Sequence, residues 1–142
     1  VVRPTRRPHL THFCRQLTHI TQVDVDAAAP LGIVWAQFEH WLLAHQPQLA
    51  GWVSWGDYDR RQLEQEWRTH GLSSYLSQVP HLNLKQRFAE ARQLPRPIGL
   101  KMALNLAGLQ FQGQQHRALI DARNTARLLP LVLPLVLPVQ SR

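Results

Sequence analysis

Cysteine is nearly absent from this 142-residue chain: Cys14 stands alone, so no internal disulfide can form. That excludes the stapled scaffold of small secreted domains and points to a reducing compartment, with the cytoplasm as the expected location. Long apolar runs are lacking as well. The nearest, Leu128 to Val139, spans about 12 residues and is broken by Pro130, Pro134 and Pro138, short of the roughly 20 that a membrane-spanning helix needs. No charged-then-apolar signal peptide opens the chain, which starts at Val1 rather than Met; a processed or excised segment is the expectation. Acids are scarce, nine against sixteen Lys plus Arg, which leaves a net charge of +7. Lysine is scarcer still. Only Lys85 and Lys101 occur, so the positive charge is almost all arginine, whose planar fork suits bidentate phosphate contacts. This balance favours a polyanionic partner. The composition, 44% hydrophobic and 18% charged, is that of a globular chain, and its length suits one domain around one core.

The periodicity predicts mostly helix. Val1 to Arg3 reads as the end of a strand entering a loop marked by Pro4 and Pro8. From His9, Leu10, Phe13, Cys14 and Leu17 recur at helical spacing, and Thr21 can cap a brief turn through Val25. Pro30 opens a longer helix with Val34, Phe38, Trp41 and Leu42 on its apolar face, ending near His45 before Pro47. Leu49 to Trp55 reads as a buried strand, and 59–70 as a helix with Leu63 and Trp67 inward and Gly71 as its stop. A short strand over 82–84 and helices over 85–93, 99–107 and 117–129 complete the pattern, the last with Leu119, Ala122, Ala126 and Leu129 as its stripe. Strands alternating with helices imply a helix-rich α/β layer fold. After residue 129 a Leu-Pro-Leu-Val repeat forms a Pro/Leu/Val-rich tail over 130–142, which cannot continue a helix.

The stretch Gly113 to Arg127, GQQHRALIDARNTAR, holds the most chemistry. On one helix, five residues separate His116 from Asp121 by about 140° of rotation, so the two would not share a face. With His116 in the loop before the helix and Asp121 within it, a mobile imidazole can instead swing over a fixed carboxylate. Such a pair suits a general base acting on a metal-bound water.

His-x4-Asp followed by Ala-Arg-Asn-Thr-Ala-Arg-Leu-Leu resembles the third motif of the DEDDh 3′-to-5′ exonucleases of the DnaQ-like, ribonuclease H-like superfamily. It is most similar to the histone-mRNA and enhanced-RNAi type enzymes and their bacterial relatives. Val2-Arg3-Pro4, then Phe13-Cys14 with Leu17-Thr18 and Ile20-Thr21-Gln22, then Ser54-Trp55-Gly56-Asp57-Tyr58-Asp59, and Gly99-Leu100-Lys101 follow the family's order. The resemblance covers residues 1–129. It implies a partial exonuclease domain there, with a mixed sheet flanked by helices and lacking its first strands. It further implies Asp59 and Asp121 as metal carboxylates, His116 as general base, a two-metal site for Mg²⁺ or Mn²⁺, and nucleoside 5′-monophosphates as product. Single-stranded nucleic acid is the implied partner, RNA slightly ahead of DNA, with no membrane role. The family's first motif, Asp-x-Glu on its first strand, precedes Val-Arg-Pro and is not in this chain. Asp24-Val25-Asp26 follows that point and cannot replace it by position. The chain alone is therefore expected to be weak or inactive, since two carboxylates hold Mg²⁺ poorly.

Plainer readings stand beside these. Asp59 could cap a helix, with Asp57 as the alternative ligand; Asp24 and Asp26 read as turn or helix-start acids. His9, His12 and Cys14 suggest zinc but lack an apparent fourth ligand. Trp35, Trp41 and Trp67 read as core, and Trp52 and Trp55 as buried strand. Lys101, Arg117, Arg123 and Arg127 are either phosphate contacts or a solvated face. A non-catalytic nucleic-acid-binding module built on the same fold is the alternative function.

Overall fold

The computed structural model describes residues 1–45, 47 and 49–133. Seven helices and two strands run in the order α1 (His12–Thr18), α2 (Gln22–Asp26), α3 (Leu31–His45), β1 (Trp52–Ser54), α4 (Tyr58–His70), β2 (His81–Asn83), α5 (Leu84–Ala91), α6 (Leu100–Leu106) and α7 (Ala118–Leu128). Short 3₁₀ turns occupy Tyr75–Gln78 and Leu129–Leu131. Each helix expected from the sequence is present, and the boundaries follow capping. Thr11 accepts a bond from the Cys14 N–H and so starts α1 later than His9. Thr21 and Asp24 form a reciprocal capping box at α2, and Asn83 caps α5. Asp26 accepts from Gln22, so both early acids serve local structure, as their turn reading implies.

β1 and β2 pair in parallel, Trp52 beside His81, Val53 beside Leu82 and Ser54 beside Asn83. In place of the single core expected, the chain divides into two compact units. Three-residue strands offer few inward positions, and the buried side chains gather in two sets. One unit comprises Val1–Ala50 and Glu64–Pro80; the other comprises Gly51–Leu63 and the chain from His81 onward.

In the first unit, Val25, Trp35, Leu42 and Leu76 are buried. α3 turns Val34, Phe38 and Leu42 of its expected apolar face at least partly inward, but not Trp41. Trp35 and Leu42 are buried, whereas Trp41 is 54% exposed and lies against Phe38 and His45. The reason is polar. The Trp35 indole donates to the Ser73 carbonyl at 2.9 Å, and Glu39 on the same face accepts from the Ser74 hydroxyl and, at 2.9 Å, from the Tyr75 N–H. Those bonds fix α3 against the 3₁₀ turn and rotate Trp41 outward. α1 likewise buries none of its residues, and Phe13 is 69% exposed.

In the second unit, Leu84, Phe88, Ala103, Leu104, Leu128 and Val132 form the core, with Val53, Trp55, Leu82 and Leu100 packed on it. The inclusion of Val132 carries the packing past residue 129. Here the expected stripe is rotated. α7 buries Asn124, Thr125 and Leu128, while Leu119 is 62% exposed and Ala122 and Ala126 face solvent. A polar residue occupies the inner face because Asn124 satisfies its entire amide there, as described below. The tail segment 134–142 lies outside the described residues.

Candidate active site

Asp59 sits in the first turn of α4, and its position is set by the four residues before it. Gly56 leaves β1 at φ +104°, a conformation closed to ordinary L residues, and lets the chain turn sharply into the helix. Buried Ser54 donates to the Gly56 carbonyl at 2.7 Å. Its one proton is thereby used, so the His81 Nε2–H donates to the Ser54 Oγ across 2.8 Å. The other ring nitrogen, Nδ1, lies 4.0 Å from Asp57 Oδ1. Asp57 also accepts from Arg60 Nε and Nη2, both at 2.9 Å, and from Arg61 Nε at 3.2 Å. The hydrogen bond from Arg60, with the charges of Arg60 and Arg61, lowers the Asp57 pKa to about 2.

This assignment of partners separates two neighbouring acids that the sequence left as alternatives. Asp57 is spent on the turn. The Asp59 carboxylate is exposed and makes no hydrogen bond or ion pair among the described residues, leaving both oxygens for an outside ligand.

His116 lies in a turn just before α7 with a left-handed backbone, φ 64°, and an exposed side chain. Asp121 stands in the first turn of α7, half-buried, its N–H bonded to the Arg117 carbonyl at 2.9 Å and its carboxylate without a partner among the described residues. His116 lies in the loop and Asp121 in the helix as expected for the pair, although Asp121 falls in the first turn rather than the second. What holds the loop is Asn124, which the sequence did not single out. Its amide oxygen accepts from the Gln112 N–H at 3.0 Å, and its nitrogen donates to the carbonyls of Gln112 at 2.8 Å and Ile120 at 2.9 Å. Arg127 adds a bond to the Gln110 carbonyl at 2.8 Å. Gln110 and Gln112, in the loop before His116, are thus tied to α7. One signal existed: Asn is a poor helix former, and inside a helix it needs a tertiary reason.

Asp59, Asp121 and His116 all belong to the second unit, as does Lys101, exposed on α6. Arg123 is exposed; Arg117 is exposed and engaged locally; Arg127 is committed to the loop carbonyl and is set aside as a phosphate ligand. Two unpartnered carboxylates are the hard oxygen donors that Mg²⁺ and Mn²⁺ take. They fit part of such a site, because no group of three His, Cys, Asp or Glu able to hold an ion occurs among the described residues.

The family described as exonuclease, RNase_T, matches residues 1–129. The chain belongs to this exonuclease family. Among its relatives, ERI1 exoribonuclease 2 of Danio rerio is 34% identical over 145 residues, covering 89% of this chain and 26% of the relative. ERI1 exoribonuclease 2 of Mus musculus is 34% identical over 148 residues, covering 89% and 21%. The chain thus spans about a quarter of the length of these relatives. The nuclease domain of 3′hExo, a DEDDh family member solved bound to rAMP, is similar with a TM-score of 0.82 and 25% identity, over 94% of this chain and 69% of that one. A 3′-exonuclease solved in recognition of the histone mRNA stem-loop shares the fold, with a TM-score of 0.81, over 94% of this chain and 61% of that one. The helix-rich α/β fold is therefore that of the DEDDh exonucleases, in agreement with the motifs read along the chain.

Proposed function

We propose that this exonuclease-family protein removes nucleoside 5′-monophosphates from single-stranded 3′ ends, RNA before DNA, in the cytoplasm. The observation that carries the reading is the state of three side chains in one unit: Asp59, Asp121 and His116 stand in or beside the helices that start at the two motifs, and none has a partner among the described residues. Structural polar side chains are normally hydrogen-bonded, as Asp57 and Asn124 are. Side chains held in place but unpaired are available for substrate.

In this reading Asp59 and Asp121 contribute carboxylate oxygens to Mg²⁺ or Mn²⁺, the substrate phosphate and water supplying further ligands. A divalent pair would polarise the scissile phosphate, lower the pKa of the attacking water and stabilise the leaving 3′ oxygen. His116 would take the proton from the attacking water, its side chain being exposed in the turn before α7. Lys101 and Arg123 contribute phosphate contacts. The small residues beside Asp121, Ala118 and Ala122, leave space for the substrate next to the carboxylate.

The test is degradation of a 5′-labelled single-stranded RNA in Mn²⁺, with Asp121→Ala in parallel. Shortening from the 3′ end with 5′-monophosphate release, lost in Asp121→Ala, is expected; release that survives the substitution refutes the site. The lack of a three-donor group among the described residues favours one second reading, a non-catalytic nucleic-acid-binding module. RNA bound without any Mn²⁺-dependent release would select it.

A further inference from the structure

The positive charge of this chain is unevenly used. Arg60 and Arg61 pair with Asp57, Arg87 pairs with Glu90, and Arg127 bonds to the loop before α7. The first 23 residues are different. They contain Arg3, Arg6, Arg7 and Arg15 with His9, His12 and His19, and no acid before Asp24. All four arginines are exposed, and none has a carboxylate partner among the described residues.

Exposed arginines on a loose segment would mean little, but this segment is held. The Arg3 N–H donates to the Ala29 carbonyl at 3.0 Å and forms a parallel bridge with Pro30. Farther along, the Gln22 side chain clamps the loop from both directions: its nitrogen donates to the Pro8 carbonyl at 2.9 Å and its oxygen accepts from the Leu10 N–H at 2.8 Å. Gln22 is itself fixed by a 2.8 Å bond to Asp26. Pro4 and Pro8 restrict the backbone between these anchors. Arg6 and Arg7 therefore sit on a loop tethered at each end, and His12 and Arg15 lie three apart on one face of the adjoining helix α1. Ordering costs for the backbone are already met in the free protein, which is the condition under which surface cations bind a polyanion well.

We infer that Arg6, Arg7 and Arg15 form a phosphodiester-binding surface of the first unit for single-stranded nucleic acid, and none of the three is among the side chains assigned to catalysis. The inference rests on the proposed nucleic-acid substrate. Its chemistry is sequence-independent, since guanidinium groups on phosphates carry no base information. RNA and DNA strands supply the same phosphate.

The test is the salt dependence of binding of a single-stranded oligonucleotide to the whole chain in EDTA, which stops hydrolysis. For single strands, each neutralised phosphate contributes about 0.7 to the slope of log affinity against log salt. The triple variant Arg6→Gln/Arg7→Gln/Arg15→Gln should flatten the slope by about 2 and weaken binding on the order of 10- to 100-fold near 0.1 M salt, the gap closing toward 1 M. Arg6→Lys/Arg7→Lys/Arg15→Lys should restore most of the slope. Arg68→Gln/Arg96→Gln, which removes two exposed charges elsewhere, should leave it unchanged. An unchanged slope in the Gln triple overturns the inference, as does an equal per-charge loss in the Arg68/Arg96 variant. Loss confined to RNA, with a DNA strand of the same sequence unaffected, overturns the assignment to phosphate. If the wild-type chain binds neither strand, the functional reading itself falls, and that outcome is distinct from the others.

Discussion

Two aspartates two positions apart, Asp57 and Asp59, meet opposite fates, and the difference is one of partners. Asp57 is wrapped by Arg60 and Arg61 and faced by His81, and its pKa falls to about 2. A carboxyl whose folded value is depressed stabilises the fold above its unfolded pKa near 4, and that contribution disappears as pH falls through about 2. Asp57→Asn should therefore lower the denaturation midpoint at pH 7, and the difference from wild type should shrink below pH 4 and vanish near pH 2. A constant difference across that range would mean the carboxylate charge is not what matters. At the other end of the site, Asn124→Ala strands the Gln112 N–H and carbonyl. Urea unfolding should show a loss on the order of 2 kcal/mol, with Asp121 still in place. Asp59, Asp121 and His116 could be singled out in the sequence because they fall in stretches that resemble motifs of the exonuclease family. Ser54, His81 and Asn124 were not, because their partners lie 27, 27 and 12 residues away and only folding brings them together.

Elements were easier to find than their faces. The helices were marked by caps, stops or apolar period, yet Trp41 of α3 and Leu119, Ala122 and Ala126 of α7 face solvent against expectation. In both, a hydrogen-bonded polar side chain, Glu39 or Asn124, occupies the inner surface. Periodicity measures apolar content and cannot see a satisfied polar group, whose burial costs little once its bonds are made. The Tyr75–Gln78 turn is capped locally by Ser74, whose hydroxyl accepts from the Leu76 N–H, and held by Glu39, 36 residues away from Tyr75, which only folding brings to it. The loop before α7 shows the same dependence on a distant partner. Gly113 has φ +82°, and a Cβ added there would come within 3.0 Å of Ile120 Cγ2. Gly113→Ala should cost about 1–3 kcal/mol in thermal or chemical unfolding and displace the turn that carries His116, lowering turnover as well. Full stability and turnover in that variant would show that the loop adapts freely.

For the molecule as a whole, the alternation of strands and helices marked the α/β class but not the division into two units, because two strands of three residues cannot be sized from sequence. The second unit carries the catalytic candidates and an apolar core; the first carries Arg3, Arg6, Arg7 and Arg15, all exposed and without a carboxylate partner among the described residues. No helix among the described residues is long and apolar enough to cross a membrane. The chain belongs to the exonuclease family over residues 1–129, and the proposed function gives Asp59, Asp121 and His116 the chemistry on a 3′ end. The rate of 5′-monophosphate release from single-stranded RNA in Mn²⁺, measured for wild type and His116→Ala beside their RNA affinities, tests that account most directly. It predicts a fall of about 10² to 10⁴ in rate with affinity unchanged, the signature of a lost general base. Equal rates in the two proteins would contradict it.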